Sequence, residues 1–344
     1  SKGLDSVALK AERNTNIRLF LVRRDLTKQD GAGVNKGWNA AEGEYLRAFS
    51  AAGYFFAKKL YEELGIPVGM IASSVSGSAI EPWMSGTPIK GSESGIEKID
   101  ETLPGKFYTG MIKPLAPFTL KGFLWYQGET NCFQAETTDY TKKFTHLINS
   151  WRSLWQDKNA SFYFVQIAPH SYSKSKDKII LTEETLPRFR EAQAAALLLP
   201  HTGMIITTDL IDNLDDIHPT YKWEIGRRLA LLALANDYGK KITSSGPQLK
   251  NAIIKESKIE IEFSNVGTGL FSSDNNPLTW FSVAGADGKF VDAKATIKAN
   301  QVIVSATDVT SPMYVRFGWN EAAQPNLFNK EGLPAMQFRT DKWE

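Results

Sequence analysis

Over the first two thirds of the chain, short β-like runs alternate with amphipathic helical runs, and this alternation narrows the possible folds more than any other feature. Runs at 17–22, 67–72, 122–126, 162–167 and 203–208 are apolar and rich in β-branched and aromatic residues. Between them, helical periodicity covers 50–64, 138–155, 188–199 and 222–236, the first ending at Gly65, a suitable helix stop. Strands that alternate with helices predict a three-layer α/β domain. After Tyr238-Gly239 the pattern changes to period-two alternation, as in Lys258-Ile259-Glu260-Ile261-Glu262-Phe263 and Gln301-Val302-Ile303-Val304. Turn clusters such as Asp287-Gly288 separate these runs, so residues 241–344 read as an all-β module following an α/β domain over 1–240. Residues 171–178 read as a polar, mobile loop inside the first domain.

Composition supports globular domains with ample core material, since 42% of residues are hydrophobic and 23% charged. The formal charge of +2 comes from 40 basic and 38 acidic residues interspersed along the chain, which leaves no footprint for nucleic acid. Cys132 stands alone, so the sequence offers neither an intramolecular disulfide nor a thiolate metal cluster. No run of about 18 apolar residues is present to span a membrane. The chain opens with Ser1 and shows no signal peptide, and it reads as a processed or truncated product. Nothing in it fixes the oligomeric state.

Three loops at the ends of predicted strands carry polar groups beyond what a plain turn needs, and in open α/β sheets such ends gather active residues. The first is Ser73-Ser74-Val75-Ser76-Gly77-Ser78, whose small residues let a backbone N–H approach a ligand, as an oxyanion donor must. An ordinary flexible turn would read the same way. The second, Gln127-Gly128-Glu129-Thr130-Asn131, places an amide, a glycine and a carboxylate at a strand end, or is simply a polar turn. The third, residues 209–219, holds His218, one of four histidines, preceded by Asp215 and Asp216 and followed by Pro219. An Asp three residues before a His can fold back to accept from Nδ1–H, leaving Nε2 as a general base. Asp209, Asp212, Asp215, Asp216 and His218 are also potential metal ligands, but their spacing fits neither a Ca²⁺ loop nor a zinc helix. His170, at the end of another predicted strand, is a lesser candidate.

The order and wording of these loops resemble the sialate O-acetylesterase family of SGNH-type hydrolases. The matching blocks are Ser76-Gly77-Ser78-Ala79-Ile80-Glu81-Pro82-Trp83, Trp125-Tyr126-Gln127-Gly128-Glu129, Asp216-Ile217-His218-Pro219 and Gly226-Arg227-Arg228-Leu229-Ala230. Met111 to Pro117, Arg190-Glu191-Ala192-Gln193 and the segment 326–335 are similar too, so the resemblance covers nearly the whole chain.

The resemblance implies a flavodoxin-like three-layer hydrolase domain with a sandwich-like β module, in a secreted or periplasmic bacterial enzyme. It implies removal of acetyl groups from sugar hydroxyls, most directly from O-acetylated sialic acid, with no cofactor and no metal. His218 would be the general base and Asp215 the acid of the triad, with Asp216 as the alternative. Gly77 N–H and the Gln127 amide would donate to the oxyanion, with Ser76 and Glu129 beside them toward substrate. Val75-Ser76-Gly77 stands where relatives carry Trp-Gly-Gly, which implies a different acyl or sugar pocket. The family's nucleophile lies in a Gly-Gln-Ser-Asn-Met block that has no counterpart here, and in relatives it precedes a segment like Ser1-Lys2-Gly3-Leu4. The expectation is therefore a nucleophile, and an amino-terminal β module, ahead of Ser1. Ser73, Ser74, Ser76 and Ser78 lack the Gly-x-Ser-x-Gly elbow of a strained nucleophile. Two other readings stay open: an acetylxylan or other esterase on the same scaffold, and a non-catalytic carbohydrate-binding protein using Trp280, Phe281 and Trp319.

Overall fold

A computed structural model of the chain describes residues 12–24, 33–91, 95–116 and 118–342. Its α/β part opens with β1 (Arg13–Arg24), β2 (Gly33–Glu42), α1 (Gly43–Ala48), α2 (Ala51–Leu64) and β3 (Val68–Ser73). β1 pairs antiparallel with β2 and parallel with β3. A hairpin of β4 (Thr87–Lys90) and β5 (Ile96–Asp100) follows. Next come β6 (Gly122–Trp125), α3 (Glu129–Phe133), α4 (Thr138–Leu154), β7 (Ser161–Val165), α5 (Thr185–Ala194), β8 (Thr202–Ile205) and α6 (Lys222–Asn236). β6, β7 and β8 form a parallel sheet in that order. All five residues of β7 are buried, as expected for the middle strand of a parallel sheet.

Among the described residues beyond 240, ten strands follow: β9 (Gln248–Lys255), β10 (Lys258–Ser264), β11 (Leu270–Ser272), β12 (Phe281–Ala284), β13 (Val291–Asp292), β14 (Lys294–Lys298), β15 (Gln301–Ser305), β16 (Tyr314–Phe317), β17 (Leu327–Asn329) and β18 (Phe338–Arg339). They pair as β14-β15-β10-β9, β13-β12-β16-β18 and β11-β17. In β10 the alternation seen in the sequence becomes alternating burial, with Ile259, Ile261 and Phe263 in a core shared with Val283, Val302, Val304 and Phe317.

The chain divides into two compact units. One comprises Ser1–Ile167, Ala192–Ile205 and Thr220–Lys240; the other comprises Ala168–Glu191, Ile206–Pro219 and Lys241–Glu344. The loops 168–191 and 206–219 therefore group with the β-rich residues. Within the first unit, α2 begins at Ser50, whose hydroxyl accepts from the backbone N–H of Gly53, and ends at Gly65 in the left-handed region. Helix α6 lies close against α2 at Gly226, where an added Cβ would come within 2.6 Å of Phe55 Cβ and of the Phe56 backbone nitrogen.

Two loops are more ordered than their polarity suggests. The turn after β6 continues into the helical turn α3, and residues 171–178 contain a short 3₁₀ turn, Tyr172–Lys174, with Tyr172 fully buried.

Candidate active site

The loop leaving β3 is a tight turn built by its own serine. Ser78 donates its hydroxyl to Val75 O at 2.8 Å and accepts from Trp83 Nε1 at 2.9 Å. Gly77 has φ +67°, a conformation that favours glycine, and its carbonyl accepts from Thr130 Oγ1 at 3.0 Å. Ser76 and Gly77 are exposed at the tip.

Gln127, by contrast, is buried and fully engaged. Its Nε2 donates to Ser78 O at 3.2 Å and to Asn131 Oδ1 at 2.7 Å, while its Oε1 accepts from Tyr140 OH at 3.1 Å. Gln193 donates to the Gln127 carbonyl at 3.2 Å and accepts from Ile167 N–H at 3.1 Å. The first and second loops are thus tied together twice, through the Gln127 amide and through the Thr130–Gly77 bond. Glu129 is half-buried in the first turn of α3. Burial, with the Glu129 charge adding to it, pushes the phenol of Tyr126 far above its ordinary range. Lys222 Nζ lies 3.2 Å from the Tyr126 hydroxyl and 4.7 Å from the ring centroid.

Behind these loops lies a charged cluster not anticipated from the sequence. Lys143, buried on α4, contacts the carboxylates of Glu81 and Glu136. Asn131 Nδ2 donates to Glu136 at 3.1 Å, and Asn131 Oδ1 accepts from Ile80 N–H at 3.0 Å. Desolvation works against the Lys143 ammonium, but the hydrogen bonds it donates to Glu136 and Glu81 outweigh it and raise its pKa. One sequence signal was available: Lys143 occupies an apolar position of α4, beside Tyr140, Phe144, Leu147 and Trp151.

The third loop lies in the other compact unit. Asn213 starts its turn, its side chain accepting from Asp215 N–H at 3.0 Å and its carbonyl from Asp216 N–H at 3.2 Å. Asp216 Oδ1 then accepts the backbone N–H of His218 at 2.9 Å and lies 3.2 Å from His218 Nδ1. That backbone bond is the main reason the Asp216 carboxyl titrates below the usual range, and the His218 ring adds to the effect. Asp215 turns instead to Lys174, at 3.1 Å. His218, Asp215 and Asp216 are all exposed. An Nδ1–H donated to Asp216 leaves the lone pair on Nε2, free to accept a proton. His170 packs edge-on to Tyr172 with ring centroids 4.9 Å apart, and burial lowers its pKa.

Among the described residues, no group of three or more His, Cys, Asp or Glu is arranged to hold a metal, and no helix is long and apolar enough to cross a membrane.

Residues 38–235 match the family described as carbohydrate esterase, sialic acid-specific acetylesterase. The chain belongs to this family. All seven candidate residues, Ser76, Gly77, Gln127, Glu129, Asp215, Asp216 and His218, fall inside the matched region. The chain is 33% identical over 248 residues to sialate O-acetylesterase of Homo sapiens, covering 64% of this chain and 46% of that protein. To the Mus musculus protein of the same name it is 28% identical over 317 residues, covering 76% and 56%. It thus spans about half the length of the curated relatives it matches. Among solved structures, a carbohydrate acetylesterase from Xanthomonas citri superposes with a TM-score of 0.84 at 36% identity, covering 98% of this chain and 76% of that one. That superposition includes β-rich residues beyond 240, which lie outside the family match.

Proposed function

We propose that this chain carries most of the active site of a serine esterase that removes O-acetyl groups from carbohydrates, with O-acetylated sialic acid as its substrate. The observation that carries this reading is the Asp216–His218 pair inside the matched family region. In the reaction, a serine hydroxyl attacks the acetyl carbonyl while His218 Nε2 takes its proton. The tetrahedral oxyanion collapses, the sugar oxygen leaves with that proton, and water repeats the sequence to release acetate. Asp216 holds the imidazole through Nδ1, with Asp215 as the alternative acid. The attacking serine is that of the Gly-Gln-Ser-Asn-Met block that the family resemblance implies. Gly77 N–H and Gln127 stabilise the oxyanion, Gln127 by exchanging its longer bond, 3.2 Å to Ser78 O, for one to the developing charge. Ser76 and Glu129 face the sugar.

With this function go an α/β/α three-layer SGNH-type domain over 1–240, a sandwich-like β module over 241–344, and a secreted or periplasmic location. A broader specificity is the second reading. It is favoured by the 36% identity to a carbohydrate acetylesterase and by Val75-Ser76 in the first loop. Acetate release from O-acetyl sialic acid, acetylated xylan and longer acyl esters, measured on the protein including its serine block, separates the two. Unchanged hydrolysis by His218→Ala would overturn both.

A further inference from the structure

The reaction drawn above uses nothing from residues 241–344, yet the loop of His218 belongs to the same compact unit as they do. The link is Glu321, buried at 5% exposure. Its carboxylate accepts both the backbone N–H of Ser173, at 2.8 Å, and the Ser173 hydroxyl, at 2.5 Å, across 148 residues of sequence. Glu321 is itself fixed, since its N–H donates to Glu183 O at 2.8 Å and its neighbour Asn320 donates to the Glu183 carboxylate at 2.8 Å. A buried carboxylate holding two donors makes charge-assisted bonds, stronger than neutral ones.

From Ser173 the chain reaches the His218 turn directly. Ser171 N–H donates to Leu214 O at 3.0 Å, and the intervening Tyr172 is fully buried. The Lys174–Asp215 pair adds a second tie, but both side chains are exposed and it contributes little. Leu214 lies inside the Asn213 turn that sets Asp216 against His218. The turn at 171–174 is therefore a strut between the β-rich residues and the His–Asp pair.

We propose that Glu321 is a positioning residue for His218: the β module braces the 171–174 turn through Ser173, and that turn fixes the loop carrying the imidazole. The proposal rests on reading His218 as the general base. Its test has two readouts. The first is the ring proton–carbon NMR signals of the four histidines in this chain, assigned by single substitutions and compared in Ser173→Ala, Glu321→Ala, Glu321→Gln and a distant control, Gln301→Ala. The signals of His170 and His218 are expected to move in Ser173→Ala and Glu321→Ala, to return most of the way in Glu321→Gln, and to stay put in the control. The second is hydrolysis by the protein including its serine block. There Glu321→Ala is expected to lower kcat about tenfold or more with KM nearly unchanged, since a misplaced catalytic group costs rate rather than uniform binding. Unmoved His218 signals in a folded Glu321→Ala protein would overturn the proposal. If that variant does not fold, Ser173→Ala decides in its place. Full activity of His218→Ala would sink the esterase reading, while the ring signals would still test the strut.

Discussion

His218 Nδ1 and Asp216 Oδ1 lie 3.2 Å apart, and the same oxygen accepts the backbone N–H of His218 at 2.9 Å. One carboxylate oxygen thus holds both the ring and the main chain of the histidine, while Asp215 faces Lys174. Replacing Asp216 with Asn is expected to lower kcat by roughly 10²–10⁴, the range spanned by loss of a positioned base and loss of a triad acid. Asp215→Asn should change it by less than about threefold, because an exposed ion pair is worth little. Acetyl ester hydrolysis by the two variants, including the serine block, checks this. The reverse ranking would transfer the role to Asp215.

Lys143 sits between Glu81 and Glu136, and its side chain is only 3% exposed. Removing one partner of a buried ion cluster strands the rest, at a cost of about 3–5 kcal/mol. Glu81 is 30% exposed and can be partly rehydrated, so Lys143→Met should fall near the lower end, about 3 kcal/mol. The triple variant Lys143→Met, Glu81→Gln, Glu136→Gln should recover most of that loss. Urea denaturation of the two variants measures the difference. Equal midpoints for single and triple variants would show that charge stranding is not the cause.

His146 receives a hydrogen-bonding contact of 2.9 Å between its Nε2 and Ser85 Oγ, and burial lowers its pKa despite the opposing field of Glu101. The unfolded chain therefore takes up a proton near pH 6.5 that the folded protein refuses until lower pH. Stability present above pH 6.5 is lost as pH falls from there toward the depressed folded value. His170, also lowered by burial, acts in the same direction in the other unit. His146→Gln, which cannot titrate, should lose less stability than wild type between pH 7.5 and 5.5. Denaturant midpoints at those two pH values test this, and an equal or steeper loss in the variant would contradict it.

Much of the fold was legible because its elements bury one consistent face. β10 alternates, α4 repeats apolar residues at helical spacing, and α2 is bounded by the Ser50 cap and the Gly65 stop. The β4–β5 hairpin was not legible, since β4 buries no residue fully and β5 only Ile96, leaving no period to detect. Helix α5 starts at Thr185, earlier than the apolar pattern suggests, with Pro187 in its first turn, where a proline costs no hydrogen bond. The polar run 171–178 hid its anchor because the partner of Ser173 lies 148 residues away, at Glu321. In the third loop, spacing alone favours Asp215 by analogy. The geometry of the Asn213 turn, which sequence does not specify, brings Asp216 to the imidazole instead.

Gly226 sits inside α6, where intrinsic propensity alone would make Gly226→Ala stabilising by about 1 kcal/mol. Packing opposes this. An alanine Cβ would lie 2.6 Å from Phe55 Cβ and from the Phe56 backbone nitrogen, and 2.7 Å from Ala52 O, all on α2. Two of those three atoms are backbone, so no rotamer change can relieve the clash and the helices must separate. Overpacking of this kind costs roughly 1–3 kcal/mol, and with the helix backbones themselves in contact the upper end applies. The packing cost exceeds the propensity gain, and Gly226→Ala is expected to be destabilising by about 1–2 kcal/mol net. A control, Ala233→Gly, removes a buried methyl from the same helix without adding contact and should cost about 1 kcal/mol or more by propensity and lost burial together. Thermal and urea unfolding of both variants checks the pair. A stabilised Gly226→Ala protein would mean that α2 and α6 pack less closely than 2.6 Å implies.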